Sequence, residues 1–123
     1  SPVWSSRGPV RWQGKTYIKP DISAPGSYVK SAKPGGSFVY KSGTSMATPH
    51  IAGMAAILLQ DNSSLTVQQL ETILIEGVKD LGAPGKDNAF GEGRANVKTS
   101  LDGQRPGGIN ELKNIRTKME SLY

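Results

Sequence analysis

Ser45 is the residue whose type and position could do chemistry. It stands at the start of a stretch rich in helix formers, residues 44–60, directly after Gly43, which permits a tight turn. One interpretation makes Ser45 the N-cap of this helix, a role that contributes about 1 kcal/mol. The other makes it a nucleophile, because the positive end of a helix and its free amides would stabilise an oxyanion on a substrate carbonyl. Position alone leaves both interpretations open.

A serine nucleophile requires a base, and the sequence offers one histidine, His50. His50 lies five residues after Ser45 on the same helix, and side chains at that spacing point about 140° apart. We therefore expect a structural role for His50. Asp21 belongs to a Lys-Pro-Asp turn, where aspartate ordinarily bonds to nearby backbone. Neither residue is predicted to form a triad with Ser45.

The composition excludes several other kinds of site. Without cysteine there is no disulfide, no thiolate metal site and no cysteine nucleophile, and one histidine cannot build a multi-histidine metal cage. A calcium site would need carboxylates, and the candidates match no spaced ligand loop, which favours a solvated surface: Asp61, Asp80, Asp87 and Glu92. Gly91 and Gly93 lack the third glycine of a phosphate-binding loop and indicate a turn.

The net charge of +5 is unevenly distributed. Residues 1–50 carry seven Lys/Arg and one Asp, a balance of +6, whereas residues 51–100 carry four basic and six acidic residues, a balance of −2. The basic residues of the first half stand singly among Gly, Pro and Ser, which is typical of a solvated surface and argues against nucleic-acid binding. The longest apolar run, residues 51–59, is too short to span a membrane.

The strands and the helix that position Ser45 are predicted from the Gly/Pro turn clusters and from the spacing of apolar residues. Residues 1–44 indicate short strands between turn clusters, with residues 37–40 as a strand candidate. The following helix, residues 44–60, is apolar on every face beyond its opening, so we expect it to be surrounded by protein. Pro49 is compatible with this helix if it begins at about Ser45, because first-turn amides have no intrahelical partner.

Two further helices are predicted in the next part of the chain. Thr66 opens an amphipathic helix with a capping-box pattern, and Gly77 or Gly82 is expected to end it. Residues 82–93 form a glycine-rich loop, and residues 94–101 are predicted to form a short helix.

The end of the chain is predicted to hold a linker and one more helix. Turn-forming residues mark the linker over residues 102–108. Apolar residues at helical spacing then predict an amphipathic helix over residues 109–123: Ile109, Leu112, Ile115, Met119 and Leu122. We expect this helix to pack on the body of the protein, the alternative being an interaction helix for another chain or domain.

Four ordered segments resemble motifs of the subtilisin-like serine proteases (subtilases). Residues 43–53, with the sequence GTSMATPHIAG, resemble the nucleophile motif over eleven consecutive positions. Residues 4–9 are similar to the family's Phe-Ser-Ser-x-Gly segment, with Trp replacing Phe, and residues 19–26 resemble Lys-Pro-Asp-Val/Ile-x-Ala-Pro-Gly. Residues 90–97 resemble the aromatic-Gly-x-Gly turn that follows, although the usual order of a large and a small residue is exchanged near its end.

The resemblance covers residues 4–101 and implies that Ser45 is the nucleophile of a Ser-His-Asp triad. It also implies binding roles for Gly43 and Thr44. In subtilases the chain order is Asp, His, Ser, so the Asp and His motifs and the oxyanion-hole asparagine are expected upstream of Ser1. The complete protein is then expected to be a serine endopeptidase and the isolated chain to be inactive; the alternative is a pseudoprotease, or an interaction or scaffold fragment of a subtilase.

The implied fold class is α/β. Residues 1–101 are expected to form the C-terminal part of a subtilisin-like parallel-sheet domain, with a buried helix after the nucleophile and with most strands supplied from upstream. The expected partners are a peptide or protein substrate, and either the N-terminal part of the same protease or a second copy of this chain. The resemblance implies no cofactor in this chain and a structural calcium ion in the full domain, and it favours secretion.

Overall fold

The computed structural model describes residues 1–104, which form four short strands and three helices. In chain order they are β1 Val10–Trp12, β2 Lys15–Tyr17, β3 Val29–Lys33, β4 Ser37–Lys41, α1 Thr44–Asp61, α2 Val67–Glu76 and α3 Val97–Gln104. The first three residues of the predicted linker, 102–104, therefore belong to α3. The rest of the linker and the predicted helix over residues 109–123 lie outside the described residues.

The strands pair as two antiparallel hairpins. β1 and β2 are joined by Gln13 and Gly14, whose φ angles of 48° and 74° suit the two-residue turns that favour tight hairpins. β3 and β4 pair over five residues each, starting with Val29 opposite Lys41. The strand predicted at residues 37–40 is confirmed as β4.

The helix α1 begins and ends within one residue of its predicted bounds but is far less buried than expected. Leu58 is 0% exposed, Ile51 and Met54 are half-buried, and Ile57 and Leu59 are exposed. The expectation that protein surrounds this helix is therefore not met within the described part of the chain. The reason is that the main contacts of α1 with other elements of residues 1–104 are with α2 and α3, and neither of the two hairpins packs extensively on it.

The helix α2 is bounded as the sequence predicts and is tied to α3. Thr66 is its N-cap, and both bonds of the capping box are present: Gln69 N–H to Thr66 Oγ1 at 3.2 Å and Thr66 N–H to Gln69 Oε1 at 2.9 Å. Gly77 is its C-cap. The buried Ser100 of α3 donates its hydroxyl to the carbonyl oxygen of Ile73 at 3.1 Å, which joins the two helices.

The helix α3 begins at Val97, three residues later than predicted. Arg94 is not helical, because its backbone forms isolated bridges, parallel with Ser23 and antiparallel with Lys79. Asn96 then precedes the helix and accepts a hydrogen bond from the amide of Thr99 at 3.2 Å. Tertiary pairing of the backbone thus displaces the start of the helix.

The loop before α3 is hydrogen-bonded to the segment before β3. The Ser23 hydroxyl donates to the carbonyl oxygens of Phe90 and Gly93 at 2.8 and 3.0 Å. The amide of Glu92 donates to the carbonyl oxygen of Asp21 at 2.9 Å. Gly91 lies at this crossing with φ 65°, and a Cβ there would stand 2.5 Å from the backbone of Asp21. Both the backbone conformation and the close approach therefore require glycine.

The strand pairing in residues 1–104 is antiparallel within the hairpins, and parallel pairing is limited to the isolated Ser23–Arg94 bridge. Three helices and small sheets form an α/β fragment. No helix within this part of the chain combines the length and the apolar character needed to cross a membrane.

Candidate active site

Ser45 lies exposed in the first turn of α1. The N-cap of this helix is Gly43, and no side chain caps the helix. The N-cap interpretation of Ser45 is therefore wrong. Its hydroxyl makes no hydrogen bond to any other of the described residues, so it is free to react with an incoming group.

The backbone around Ser45 has unused hydrogen-bond donors. The amide of Met46 donates to the carbonyl oxygen of Gly43 at 3.0 Å, whereas the amides of Thr44 and Ser45 have no acceptor within residues 1–104. The first turn also contains no acidic residue that would neutralise the positive end of the helix. A negatively charged oxygen forming beside Ser45 would therefore be stabilised.

Two hydrogen bonds fix the turn that leads to Ser45. The amide of Gly43 donates to the carbonyl oxygen of Gly26 at 2.7 Å, and the amide of Tyr28 donates to the Ser42 hydroxyl at 2.8 Å. A Cβ on Gly26 would stand 2.8 Å from the Gly43 carbonyl oxygen, so only glycine allows this approach. Sequence reasoning did not assign Gly26 and Ser42 to the site; for Gly26 the motif at residues 19–26 was the available signal.

His50 is held by its own helix. Its Nδ1 lies 2.8 Å from the carbonyl oxygen of Met46, so Nδ1 carries the proton in this bond. This bond to the preceding turn agrees with the structural role expected of His50, a half-buried residue. The chain contains no other histidine, so any other histidine base for Ser45 would have to come from outside it.

Asp21 is engaged by lysines rather than by the backbone bond predicted for its side chain, and that prediction is wrong. Its carboxylate pairs with Lys19 and, at 3.1 Å, with Lys86. The hydrogen bond from Lys19, with further help from Lys86, outweighs partial burial and lowers the pKa of Asp21 below its ordinary value. Asp21 does make a backbone contact, but through its own carbonyl oxygen, which accepts a hydrogen bond from the amide of Glu92.

Asp87 organises the loop that packs against Asp21. Its Oδ1 accepts from the amides of Phe90 and Ala89 at 2.7 and 2.8 Å, and its Oδ2 accepts from the amide of Ala83 at 3.1 Å. These backbone hydrogen bonds, the one from Phe90 above all, lower the pKa of the Asp87 carboxyl. Asp87 therefore anchors this loop through backbone amides while the residue itself stays partly exposed.

The remaining carboxylates of the described residues do not form a cluster that could bind a metal ion. Asp80 accepts from the amide of Gly85 at 2.8 Å, and Glu92 lies 3.9 Å from the Lys86 ammonium. Within residues 1–104 no three His, Asp or Glu side chains stand close enough together to hold a metal ion.

A cleft of about 600 Å³ adjoins the site on one side of α1. Its wall includes the helix face formed by Thr44, Ala47, Thr48 and Ile51, with Gly43 at one end. Segments before β1 and before β3 form the opposite wall and contribute Trp4 and Ile22, among others. Gly43 and Thr44, the predicted binding residues, thus border the cleft, while Ser45 is not among the residues that line it.

An exposed serine at the start of a helix in an α/β framework is typical of one class of protein, the hydrolases that use a serine nucleophile. The chain belongs to one family within it: the model of the Subtilase family matches residues 2–93.

Individual relatives agree with the family match. Serine protease AprX of Bacillus subtilis (strain 168) is 40% identical over 115 residues, covering 82% of this chain and 25% of that protein. The Extracellular serine protease of Serratia marcescens is 42% identical over 65 residues, covering 53% of this chain and 6% of that protein. The structure of the Clostridium perfringens CspB protease matches with a TM-score of 0.67 at 30% identity, covering 78% of this chain and 22% of that one. The chain thus spans about a quarter or less of the length of these relatives.

Proposed function

We propose that Ser45 is the nucleophile of a serine endopeptidase whose catalytic domain is completed by residues outside this chain. The Ser45 hydroxyl gives its proton to a histidine supplied by the rest of the domain while its Oγ bonds to the substrate carbonyl carbon. The amine leaves with that proton, and water then hydrolyses the acyl-enzyme. Gly43 and Thr44 bind the substrate backbone beside the scissile bond.

The observation that carries this proposal is the combination found at Ser45. The side chain is exposed, its hydroxyl has no partner among the described residues, and the Ser45 amide is free at the positive end of α1. A serine that served only to cap the helix would use its hydroxyl on a first-turn amide. A free hydroxyl can act as the nucleophile, and a free amide can stabilise the oxyanion that its attack produces.

The rest of the catalytic domain is the proposed partner of the cleft and of the exposed side of α1. Ile57 and Leu59 are 44% and 37% exposed, and apolar surface of this kind favours association. A sheet packed there would bury α1 and bring the missing histidine and aspartate towards Ser45. By the same argument, residues 1–123 alone are inactive or associate with a second copy.

The proposal also covers the location of the protein, its substrate and a structural calcium ion. Secretion is proposed because one relative is named an extracellular serine protease. The substrate is a peptide or protein, with neither nucleic acid nor membrane as a partner. A structural calcium ion of the complete domain remains part of the proposal, and residues 1–104 contain no group of three His, Asp or Glu side chains that would hold it without ligands from the rest of the domain.

Labelling with a fluorophosphonate tests this assignment. We expect the complete protein to be labelled at Ser45, the Ser45→Ala variant not to be labelled, and Ser64→Ala, a change in the exposed loop after α1, to behave as the parent. Residues 1–123 alone should react slower by at least about 10³-fold, because the base is absent.

Two outcomes would contradict the proposal. Labelling of the isolated chain at the full rate would show that no base from outside is needed. A complete protein that lacks both an Asp-Thr/Ser-Gly and a His-Gly-Thr motif, and that resists the label, would instead be a pseudoprotease or scaffold.

A further inference from the structure

The β3–β4 hairpin has an aromatic and basic face that the site described above does not use. The strand register sets Lys30 opposite Tyr40 and Ala32 opposite Phe38, so these side chains share one face. Phe38 and Tyr40 are 64% and 60% exposed, and the Lys30 ammonium lies 4.9 Å from the centre of the Phe38 ring. We call Lys30, Phe38 and Tyr40 the hairpin face.

The charge around the hairpin face is positive and not neutralised. Residues 22–60 contain no Asp or Glu but three lysines, all in β3 or β4. Lys30 belongs to the hairpin face, and Lys33 and Lys41 lie on the opposite face of the same hairpin. None of the three forms an ion pair with another of the described residues. Such a field attracts carboxylates and repels basic segments.

The hairpin is connected to Ser45 by a short segment of chain. Its base is held by the hydrogen bond from the Tyr28 amide to the Ser42 hydroxyl at 2.8 Å, three residues before the serine. Phe38 precedes Ser45 by seven residues, which places it within about 25 Å along the chain. An extended substrate with its scissile bond at Ser45 would therefore reach the hairpin face within about seven residues of that bond.

We propose that the hairpin face binds an acidic segment of the polypeptide substrate, within about seven residues of the scissile bond. Lys30 pairs with Asp or Glu side chains, the Tyr40 hydroxyl donates to them, and the rings of Phe38 and Tyr40 cover their methylene groups. The proposal rests on the proposed function, since it assigns a substrate preference to the same site.

The proposed binding of acidic segments is tested by measuring peptide binding to the complete protein with the Ser45→Ala substitution, which prevents cleavage of the peptide. The probes are fluorescent peptides with one central sequence and flanks of Glu, Gln or Lys. We expect the Glu-flanked peptide to bind about three- to tenfold more tightly than the Gln-flanked one at low salt, with a smaller difference at high salt. Lys30→Glu should remove this preference and Lys30→Gln should reduce it.

Lys15→Glu is the matched control, because it makes the same change of charge on the exposed strand β2 of the other hairpin. We expect this variant to keep the preference for Glu flanks. Equal binding of Glu- and Gln-flanked peptides by the parent would overturn the proposal. The proposal would also be overturned if Lys15→Glu lost the preference as fully as Lys30→Glu, because the preference would then depend only on the net charge of the protein.

Hydrolysis of the Gln-flanked peptide by the protein with Ser45 intact separates the two proposals. Cleavage without a preference for Glu flanks keeps the endopeptidase and rejects the hairpin face as a substrate-binding surface. A binding preference without cleavage or fluorophosphonate labelling rejects the endopeptidase and supports the hairpin face as a site for acidic polypeptides.

Discussion

The amide of Gly43 donates a 2.7 Å hydrogen bond to the carbonyl oxygen of Gly26, and a Cβ on Gly26 would stand 2.8 Å from the Gly43 carbonyl oxygen. Two segments of backbone therefore meet immediately before the proposed nucleophile. This contact sets the direction in which α1 leaves the β3–β4 hairpin, and with it the place of Ser45.

Gly26→Ala should separate these segments and misplace Ser45. We expect the rate of fluorophosphonate labelling of the complete protein to fall by about 10-fold or more, since displacements of about 1 Å near a reacting group have large effects. Ser31→Ala, a change on exposed β3, should label at the parent rate. Parent-like labelling of Gly26→Ala would show that the close approach is not needed.

Gly91→Ala should destabilise the protein through two separate effects. At φ 65° a side chain is strained, and the new Cβ would meet the backbone of Asp21 at 2.5 Å. Gly85 has φ 81° but open space around it, so Gly85→Ala introduces the strain alone. We expect a loss of about 1 kcal/mol for Gly85→Ala and at least about 2 kcal/mol for Gly91→Ala in chemical denaturation. Equal losses would mean that the loop yields to the added methyl.

Asp87→Asn should weaken the loop and remove part of the acid sensitivity of the protein. The folded state lowers the pKa of Asp87 below the ordinary value of 3.8 through hydrogen bonds from backbone amides. Its contribution to stability is therefore fully present above that ordinary value and is lost as the pH falls through the lowered one. The asparagine amide would also place a donor opposite a backbone donor.

The measurement for Asp87 is the denaturant midpoint of the complete protein from pH 7 to pH 2. The Asp87→Asn variant should unfold at a lower midpoint near neutral pH and approach the parent in strong acid. Asp61→Asn, at the exposed end of α1, is the control and should follow the parent throughout. A constant difference at every pH would contradict the role of the Asp87 charge.

His50→Ala should affect stability and leave the proton transfer intact. The hydrogen bond from Nδ1 to the Met46 carbonyl oxygen is lost, which we expect to lower the free energy of unfolding by about 1 kcal/mol. The pH dependence of Ser45 labelling should keep its shape, with a rate within about threefold of the parent, if the base comes from outside this chain. Disappearance of the pH dependence would make His50 the base.

Several local features are determined by nearby residues and could be predicted. The capping box of Thr66 and Gln69, the end of α2 at Gly77 and the strand β4 each depend on contacts within a few positions of the chain. The motif around Ser45, eleven consecutive residues, likewise indicates the family from the sequence alone. The start of α3 could not be predicted, because Arg94 pairs with Ser23, a residue 71 positions away in sequence.

The sequence by itself determined the family, the helix that follows Ser45 and the absence of a second histidine, because these depend on residue types and short spacings. The tertiary structure decided that Gly43 rather than Ser45 caps α1, that Asp21 pairs with lysines, and that Asp87 anchors a loop through three amides. It also decided that α1 leaves an apolar side uncovered by residues 1–104. The Asp21–Lys86 pair and the exposed side of α1 depend on which distant segments meet in space, so no local pattern encodes them. The cap at Gly43 and the bonds of Asp87 lie within four residues, but they depend on the backbone conformation of each turn, which residue types alone do not specify.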